Sequence, residues 1–250
     1  MELVVLGSSG AFPAAGGAAA GYLLRHDGFR VWVDAGTGTF ANLQLEMAYD
    51  EVDAVLVTHE HVDHCIDLYP VYIARLFHPE PLPPLPLFAP KGVFERLAAL
   101  EDAQGVEEMR RIFDVHEIES GQEFEVGPFS VRTRLLPHWV PNLGMRFEAN
   151  GTSLVYTGDT GPTDELPELA RGADLLVSEA SWLDVREGRD PYHLTGTQAG
   201  EHAAQAGAGR LLLSHFWPGS DRGTSAEQAS AAFDGEVLLA SEGSRHEVKP

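Results

Sequence analysis

The sequence predicts an α/β (α+β) architecture in which two β-sheets are covered by helices on their outer faces. Three observations lead to it. Short apolar runs of strand composition recur along all 250 residues, separated by Gly and Pro turn signals. Segments of helical spacing lie between them, and in the last third strand and helix alternate. Finally, strand after strand runs into a His or Asp at its C-terminal end. Ligands mounted on rigid strand ends keep their geometry better than ligands on free loops.

In chain order, Leu3–Leu6, Gly21–His26, Arg30–Asp34 and Ala54–Thr58 read as strands, with helical spacing over Phe40–Ala48. Asp63–Leu76 reads as one helix, with Ile66, Leu68, Val71, Ile73 and Leu76 as its apolar positions and Tyr69, Tyr72 and Phe77 as an aromatic side. The proline-rich patch Pro79–Pro90 is a rigid connection whose Phe88-Ala89-Pro90 ends a strand. A helix follows over Gly92–Leu100. Val115–Ile118, Gln122–Val126, Phe129–Leu136 and Met145–Glu148 fit successive antiparallel strands. Strands at Ser153–Thr157, Leu175–Glu179, Leu211–Ser214 and Val237–Leu239 then alternate with helices at Asp164–Arg171, Thr195–Gln205 and Ala226–Phe233. No linker or low-complexity run divides the chain, so residues 1–250 are expected to form one domain.

The segment His59-Glu60-His61-Val62-Asp63-His64 follows the run Ala54–Val57 after a single residue, Thr58. Neutral imidazole and carboxylate suit zinc, iron or manganese. Histidines at i and i+2 can face one side of an extended loop, and the Asp and His at i+4 and i+5 can turn toward a second ion. A two-metal site needs more donors, and His138, Asp159 and His215 each follow another apolar strand.

The order His-x-His-x-Asp-His, His, Gly-Asp-Thr, Ser-His resembles the metallo-β-lactamase superfamily, from Leu3 to about Leu239. Ser178-Glu179-Ala180-Ser181-Trp182 and His193-Leu194-Thr195-Gly196-Thr197-Gln198-Ala199-Gly200 are similar to the ribonuclease Z-like branch. Closer still, the pattern looks like the actinobacterial cyclic-nucleotide phosphodiesterases. The pieces that carry this are Gly7-Ser8-Ser9-Gly10, Gly21–Arg25, His64–Leu68, Ile112–His116 and Gly158–Gly161. The resemblance implies a four-layer αββα sandwich, two mixed β-sheets flanked by helices, with the site at one edge between the sheets. It also implies two divalent metal ions, with zinc expected and manganese or iron as alternatives. His59, His61 and His138 would hold one ion, Asp63, His64 and His215 the second, and Asp159 would bridge them. A homodimer is implied by likeness to the branch alone.

A water shared between two such cations ionises near neutral pH and attacks phosphorus in line with the departing oxygen. Asp63 can aim that water. The leaving alkoxide needs a proton, for which His193 is the candidate, oriented and kept protonated by Glu179. Trp139, Trp182, Phe216 and Trp217 each lie within three residues of a site residue and are candidates to wall the pocket or stack on a base. Gly7-Ser8-Ser9-Gly10 could bring backbone N–H groups near a phosphate, although a plain tight turn is the simpler reading. His26, His78, His116, His202 and His246 lack a ligand-like context.

Seventeen basic and 38 acidic residues give a formal charge of −21, and Lys91 and Lys249 are the only lysines. Such a chain repels polyanions, so a small nucleotide is the expected substrate and no large nucleic acid is expected. Met1 leads straight into a strand, no apolar stretch approaches membrane-spanning length, and the single cysteine, Cys65, has no internal partner. A cytoplasmic protein without a membrane partner is therefore expected. The expected function is hydrolysis of a small cyclic nucleotide such as 3′,5′-cAMP or cGMP. The alternatives are a tRNA 3′-processing endonuclease, hydrolysis of β-lactams, thioesters or lactones, and a non-catalytic metal-binding sensor or assembly factor. In the tRNA enzymes a long tRNA-gripping arm separates the single His from the bridging Asp; here only 21 positions separate His138 from Asp159.

Overall fold

Two seven-stranded mixed sheets pack face to face in the computed structural model, which describes residues 1–185 and 191–250. The first contains β1 (Glu2–Gly7), β2 (Gly21–His26), β3 (Phe29–Val33), β4 (Ala54–Leu56), β5 (Leu85–Ala89) and β6 (Phe113–Glu117) in chain order. The second contains β7 (Glu123–Val126), β8 (Phe129–Leu136), β9 (Asn142–Ala149), β10 (Thr152–Tyr156), β11 (Leu175–Glu179), β12 (Arg210–Ser214) and β13 (Glu236–Leu239), also in order. The last strand, β14 (Arg245–Glu247), returns to the first sheet beside β1. Each sheet is antiparallel on one side and parallel on the other, the change falling after β3 and after β10.

Alternation along the strands builds the layers. Leu3 and Val5 face the other sheet, while Val4 and Leu6 face the helices. On β8, Phe129 and Val131 are buried and Arg132 and Arg134 are exposed. The core between the sheets joins Tyr22, Leu24, Val31 and Val33 to Met145, Phe147, Leu154 and Tyr156. Each such fully buried apolar side chain stabilises the fold by roughly 1.5–3 kcal/mol relative to exposure.

Outside the first sheet lie α1 (Thr39–Glu46), α2 (Val62–Cys65), α3 (Leu68–Leu76), α4 (Val93–Ala98) and α5 (Ala103–Ile112). Against the second lie α6 (Glu165–Leu169), α7 (Gly196–Ala206) and α8 (Arg222–Ala232). No helix among the described residues is long and apolar enough to cross a membrane.

Three expectations need correction. The helix expected over 63–76 is two helices, broken at Ile66-Asp67. There the Asp67 carboxylate accepts the N–H groups of Gly38 and Phe40 and ties the break to the start of α1. Helix α5 falls between the helix expected to end at Leu100 and the strand expected from Val115, where no helix is expected. Val106, Met109 and Ile112 recur at helical spacing there, and Asp102 caps the end by accepting from the N–H groups of Gln104 and Gly105. Strand β6 is not antiparallel to its successors; it pairs in parallel with β5 in the first sheet.

Candidate metal centre

Strand β4 is buried throughout and ends at Leu56; the chain then continues through Val57 and Thr58 to His59. His61 closes the extended loop, and the single turn of α2 swings Asp63 and His64 inward. Asp159 follows the turn after β10. Gly158 there has φ +57, and a Cβ on it would come within 2.3 Å of Asn142 Oδ1 and 2.9 Å of Thr58 Cβ, so only glycine fits. His215 follows β12 in a left-handed conformation, φ +52, a backbone state uncommon for a residue with a side chain.

The seven predicted ligand positions meet in two groups, His59/His61/His138/Asp159 and Asp63/His64/Asp159/His215. In the first, His61 Nδ1 lies 3.1 Å from both His59 Nε2 and His138 Nε2. Asp159 Oδ2 lies 3.8 and 3.7 Å from the same two Nε2 atoms. In the second, the Nε2 atoms of His64 and His215 are 3.1 Å apart. Asp63 Oδ2 is 3.5 and 3.4 Å from them, and Asp159 Oδ1 is 3.2 and 3.1 Å away. Asp159 therefore offers one oxygen to each group.

The opposite ring nitrogens are anchored. His64 Nδ1 donates to Asp34 Oδ2 at 2.7 Å, and His138 Nδ1 donates to the Tyr192 carbonyl at 3.2 Å. His59 Nδ1 meets the Thr58 hydroxyl at 3.0 Å, and His215 Nδ1 meets the Ser181 hydroxyl at 2.9 Å. Such partners fix tautomer and ring direction and leave the second nitrogen free to coordinate. Asp63 is held from outside by the Ala11 N–H, 2.8 Å from Oδ2. Asp34, Thr58 and Ser181 were not singled out in the sequence. Asp34 could have been, since it too is an acid at the end of a strand.

A pair of cations suits this donor set. Asp159 Oδ1 is buried and makes no well-formed hydrogen bond among the described residues, although two imidazole nitrogens crowd it. Imidazole and carboxylate are donors for zinc, iron or manganese. Burial depresses the pKa of His59 and His61 and brings that of His138 down to about 4, so these rings are neutral and ready to coordinate. Burial also opposes charge on His64, but Asp159, Asp63 and Asp34 overcome it and raise its pKa well above the usual range. Either a proton or a cation must therefore lie among these carboxylates.

His193 stands between the two groups, its ring centroid 5.2 Å from that of His138 and 5.8 Å from that of His215. Its Nδ1 lies 3.0 and 3.2 Å from the Glu179 oxygens. Glu179 is fully buried at the end of β11 and also accepts from the Thr160 and Leu194 N–H groups and the Ser181 hydroxyl. Burial would lower the His193 pKa; the charge and hydrogen bond of Glu179 prevail and bring it up to about 9. Two residues on, Thr195 caps α7, accepting the Gln198 N–H while Gln198 accepts the Thr195 N–H. That cap fixes the segment carrying His193.

The turn after β1 is no phosphate cradle. Ser8 and Ser9 donate their N–H groups to the Ala18 carbonyl and Gly10 donates to that of Phe216, so these donors are already used. Among the aromatic candidates, Phe216 is buried, whereas Trp139 and Trp217 are exposed. Trp182 is half-buried and packs on His193 and Trp217. Of the remaining histidines, His202 is buried and bonded to the backbone at Gln198 and Thr163. Cys65 is buried, its thiol directed at the Glu60 carbonyl.

A β-lactamase superfamily domain pattern matches residues 29–216. The uncharacterized protein Rv1339 of Mycobacterium tuberculosis is 38% identical over 243 residues, covering 95% of this chain and 88% of the relative. Ribonuclease Z of Mycolicibacterium gilvum is 31% identical over 278 residues, covering 100% and 97%. The crystal structure of the metallo-β-lactamase fold protein YhfI from Bacillus subtilis superposes with a TM-score of 0.89 at 28% identity, covering 98% of this chain and 99% of that one. These likenesses run through both sheets and both ligand groups, and the chain accordingly belongs to the β-lactamase superfamily, among its ribonuclease Z-like metallo-hydrolases.

Proposed function

We propose that the protein is a metal-dependent phosphodiesterase acting on a small cyclic nucleotide such as 3′,5′-cAMP or cGMP. The observation that carries this is the placement of His193, paired with buried Glu179 and set between the two ligand groups. Attack on a carbonyl does not require such a proton donor; expulsion of a ribose alkoxide from phosphorus does.

His59, His61 and His138 would hold one divalent ion and Asp63, His64 and His215 the other, with Asp159 shared. Such a pair, when bound, would supply Lewis acidity that lowers the pKa of a bound water and offsets the charge of a phosphoryl group. The protein supplies the rest. Asp63, fixed by the Ala11 N–H, presents an acceptor that orients the attacking water. His193 delivers the proton on its outward nitrogen to the leaving oxygen, and Glu179 stabilises the cation beforehand and fixes the ring. His59, His138, Asp159, Glu179 and His215 lie at or just after strand ends, and Asp63 and His64 on the short turn of α2, so little reorganisation accompanies the reaction.

A tRNA 3′-processing endonuclease is the second reading, favoured by the ribonuclease Z relative. Two features weigh against it. Between His138 and Asp159 the chain is taken up by β9, β10 and short turns, which leaves no room for a tRNA-gripping arm. The net charge of −21 also disfavours a polyanion.

The test is a substrate panel. Protein loaded with Mn²⁺ or Zn²⁺ is given bis-p-nitrophenyl phosphate, 3′,5′-cAMP, 2′,3′-cyclic nucleotides, a precursor tRNA and nitrocefin. The phosphodiesterase reading expects cyclic nucleotides to be turned over fastest. Faster cleavage of precursor tRNA reverses the two readings, and turnover of nitrocefin alone removes both.

A further inference from the structure

Trp139 is 65% exposed, yet it is packed on several sides. One face stacks on His138, with centroids 5.6 Å apart and planes inclined by 21°. His61, Tyr192 and His193 meet it at steep angles, at 6.0, 5.4 and 6.1 Å. Two of these four neighbours are candidate metal ligands and a third is the candidate proton donor. The indole is thus held in a fixed plane over the wall of the reaction centre while most of its surface stays in water. A solvent-facing indole forgoes the stabilisation that burial gives such a ring. Its support comes from the site, so its place is tied to the site and not to the core. Across His193, Trp217 is less free, because Trp182 tilts over it at 4.9 Å and Phe12 closes on it edge-on at 5.6 Å.

We infer that Trp139 is the base-stacking platform of this centre, taking the heterocycle of a nucleoside phosphate whose phosphate lies at the two ligand groups. The inference rests on the phosphodiesterase reading for the position of the phosphate and adds a specificity-determining residue to it. A flat ligand attached to a phosphate fits a ring fixed beside phosphate-seeking ions. Stacking on a single indole face is tolerant of which base is present, because every base offers a π-face. Tolerance among purines is therefore expected, together with strong discrimination against phosphates that carry no base.

The test is binding, measured by calorimetry on the Zn²⁺-loaded protein with 5′-AMP and with ribose 5-phosphate. The wild type should bind 5′-AMP about tenfold or more tightly than ribose 5-phosphate. Trp139→Ala should abolish that preference with metal content and melting temperature maintained, and Trp139→Phe should keep most of it. Equal binding of the two ligands by the wild type, or a preference that survives Trp139→Ala, overturns the inference. The two failures are separable. A base preference without cyclic-nucleotide turnover removes the phosphodiesterase reading alone, and turnover without a base preference removes the platform alone.

Discussion

Asp34 and His64 are joined by a 2.7 Å hydrogen bond between fully buried groups, and the same carboxylate also reaches the other ligand group. Its Oδ1 accepts the Thr58 N–H, and its two oxygens lie 3.2 and 2.9 Å from the Thr58 hydroxyl, which in turn meets His59 Nδ1. Tyr156 donates a further hydrogen bond to Oδ2 at 2.8 Å. One carboxylate thus orients a histidine of each group. Asp34→Asn should therefore weaken metal binding at both positions, by about 10–100-fold. Elemental analysis after dialysis against a graded chelator reads this. Weakening of one ion alone would show that the two groups are anchored independently.

His193 is argued to act on the leaving group and not to coordinate. His193→Ala should keep both ions and lose about 10²–10⁴-fold in kcat toward cAMP. Loss of an ion in that variant would make it a ligand. The pH dependence adds a second readout. The proton on His193 is the active form, and its pKa is held up at about 9, so activity should fall as pH rises through about 9. In Glu179→Gln the opposing charge is gone while burial remains, so the falling limb should move to lower pH. A limb that stays in place would assign it to another group.

Much of this centre is legible in the sequence because each donor sits beside a short apolar run. Val131–Leu136 and Leu211–Ser214 can be recognised as strands from composition alone; His138 follows the first after Pro137, and His215 follows the second directly. Asp34 ends a strand in the same way, but an isolated acid carries no motif. Its role appears once β3 and β4 pair and bring it to Thr58 and His64. Helix α5 is obscured for a different reason. Glu107, Glu108, Arg110 and Arg111 dilute its apolar positions, and the face that Met109 buries against the first sheet is set by packing. The separation of β6 from β7 into different sheets is a long-range choice that no local spacing records.

Metal uptake by the metal-free protein should be unequal in its proton cost. His59, His61 and His138 are held neutral by burial, so an ion entering that group displaces no proton at pH 7. His64 is buried too, but the carboxylates of Asp159, Asp63 and Asp34 keep it protonated. An ion entering the second group must expel that proton, and its affinity should rise with pH. Calorimetric titration with Zn²⁺ at pH 7, in buffers of different ionisation enthalpy, should show about one proton released with one equivalent and none with the other. Identical proton release for both equivalents would contradict this electrostatic account.

Gly10 tests whether the turn after β1 shapes the second group. A Cβ at this position would lie 2.7 Å from His215 Nδ1 and 2.9 Å from the His215 carbonyl. The Gly10 N–H already binds the Phe216 carbonyl, and the Phe216 N–H binds that of Ser8, so the two segments cannot easily part. Gly10→Ala must therefore push the His215 ring off the Ser181 hydroxyl and away from Asp63. The strain should cost about 1–3 kcal/mol, equivalent to a fall of several degrees in melting temperature for a chain of this size. The larger effect is local. One ion should be lost from the group built on His64 and His215, while His59, His61 and His138 retain the other, and turnover of a phosphodiester should drop at least 100-fold. Retention of both ions at wild-type affinity would mean that the turn yields to the methyl group and does not position His215.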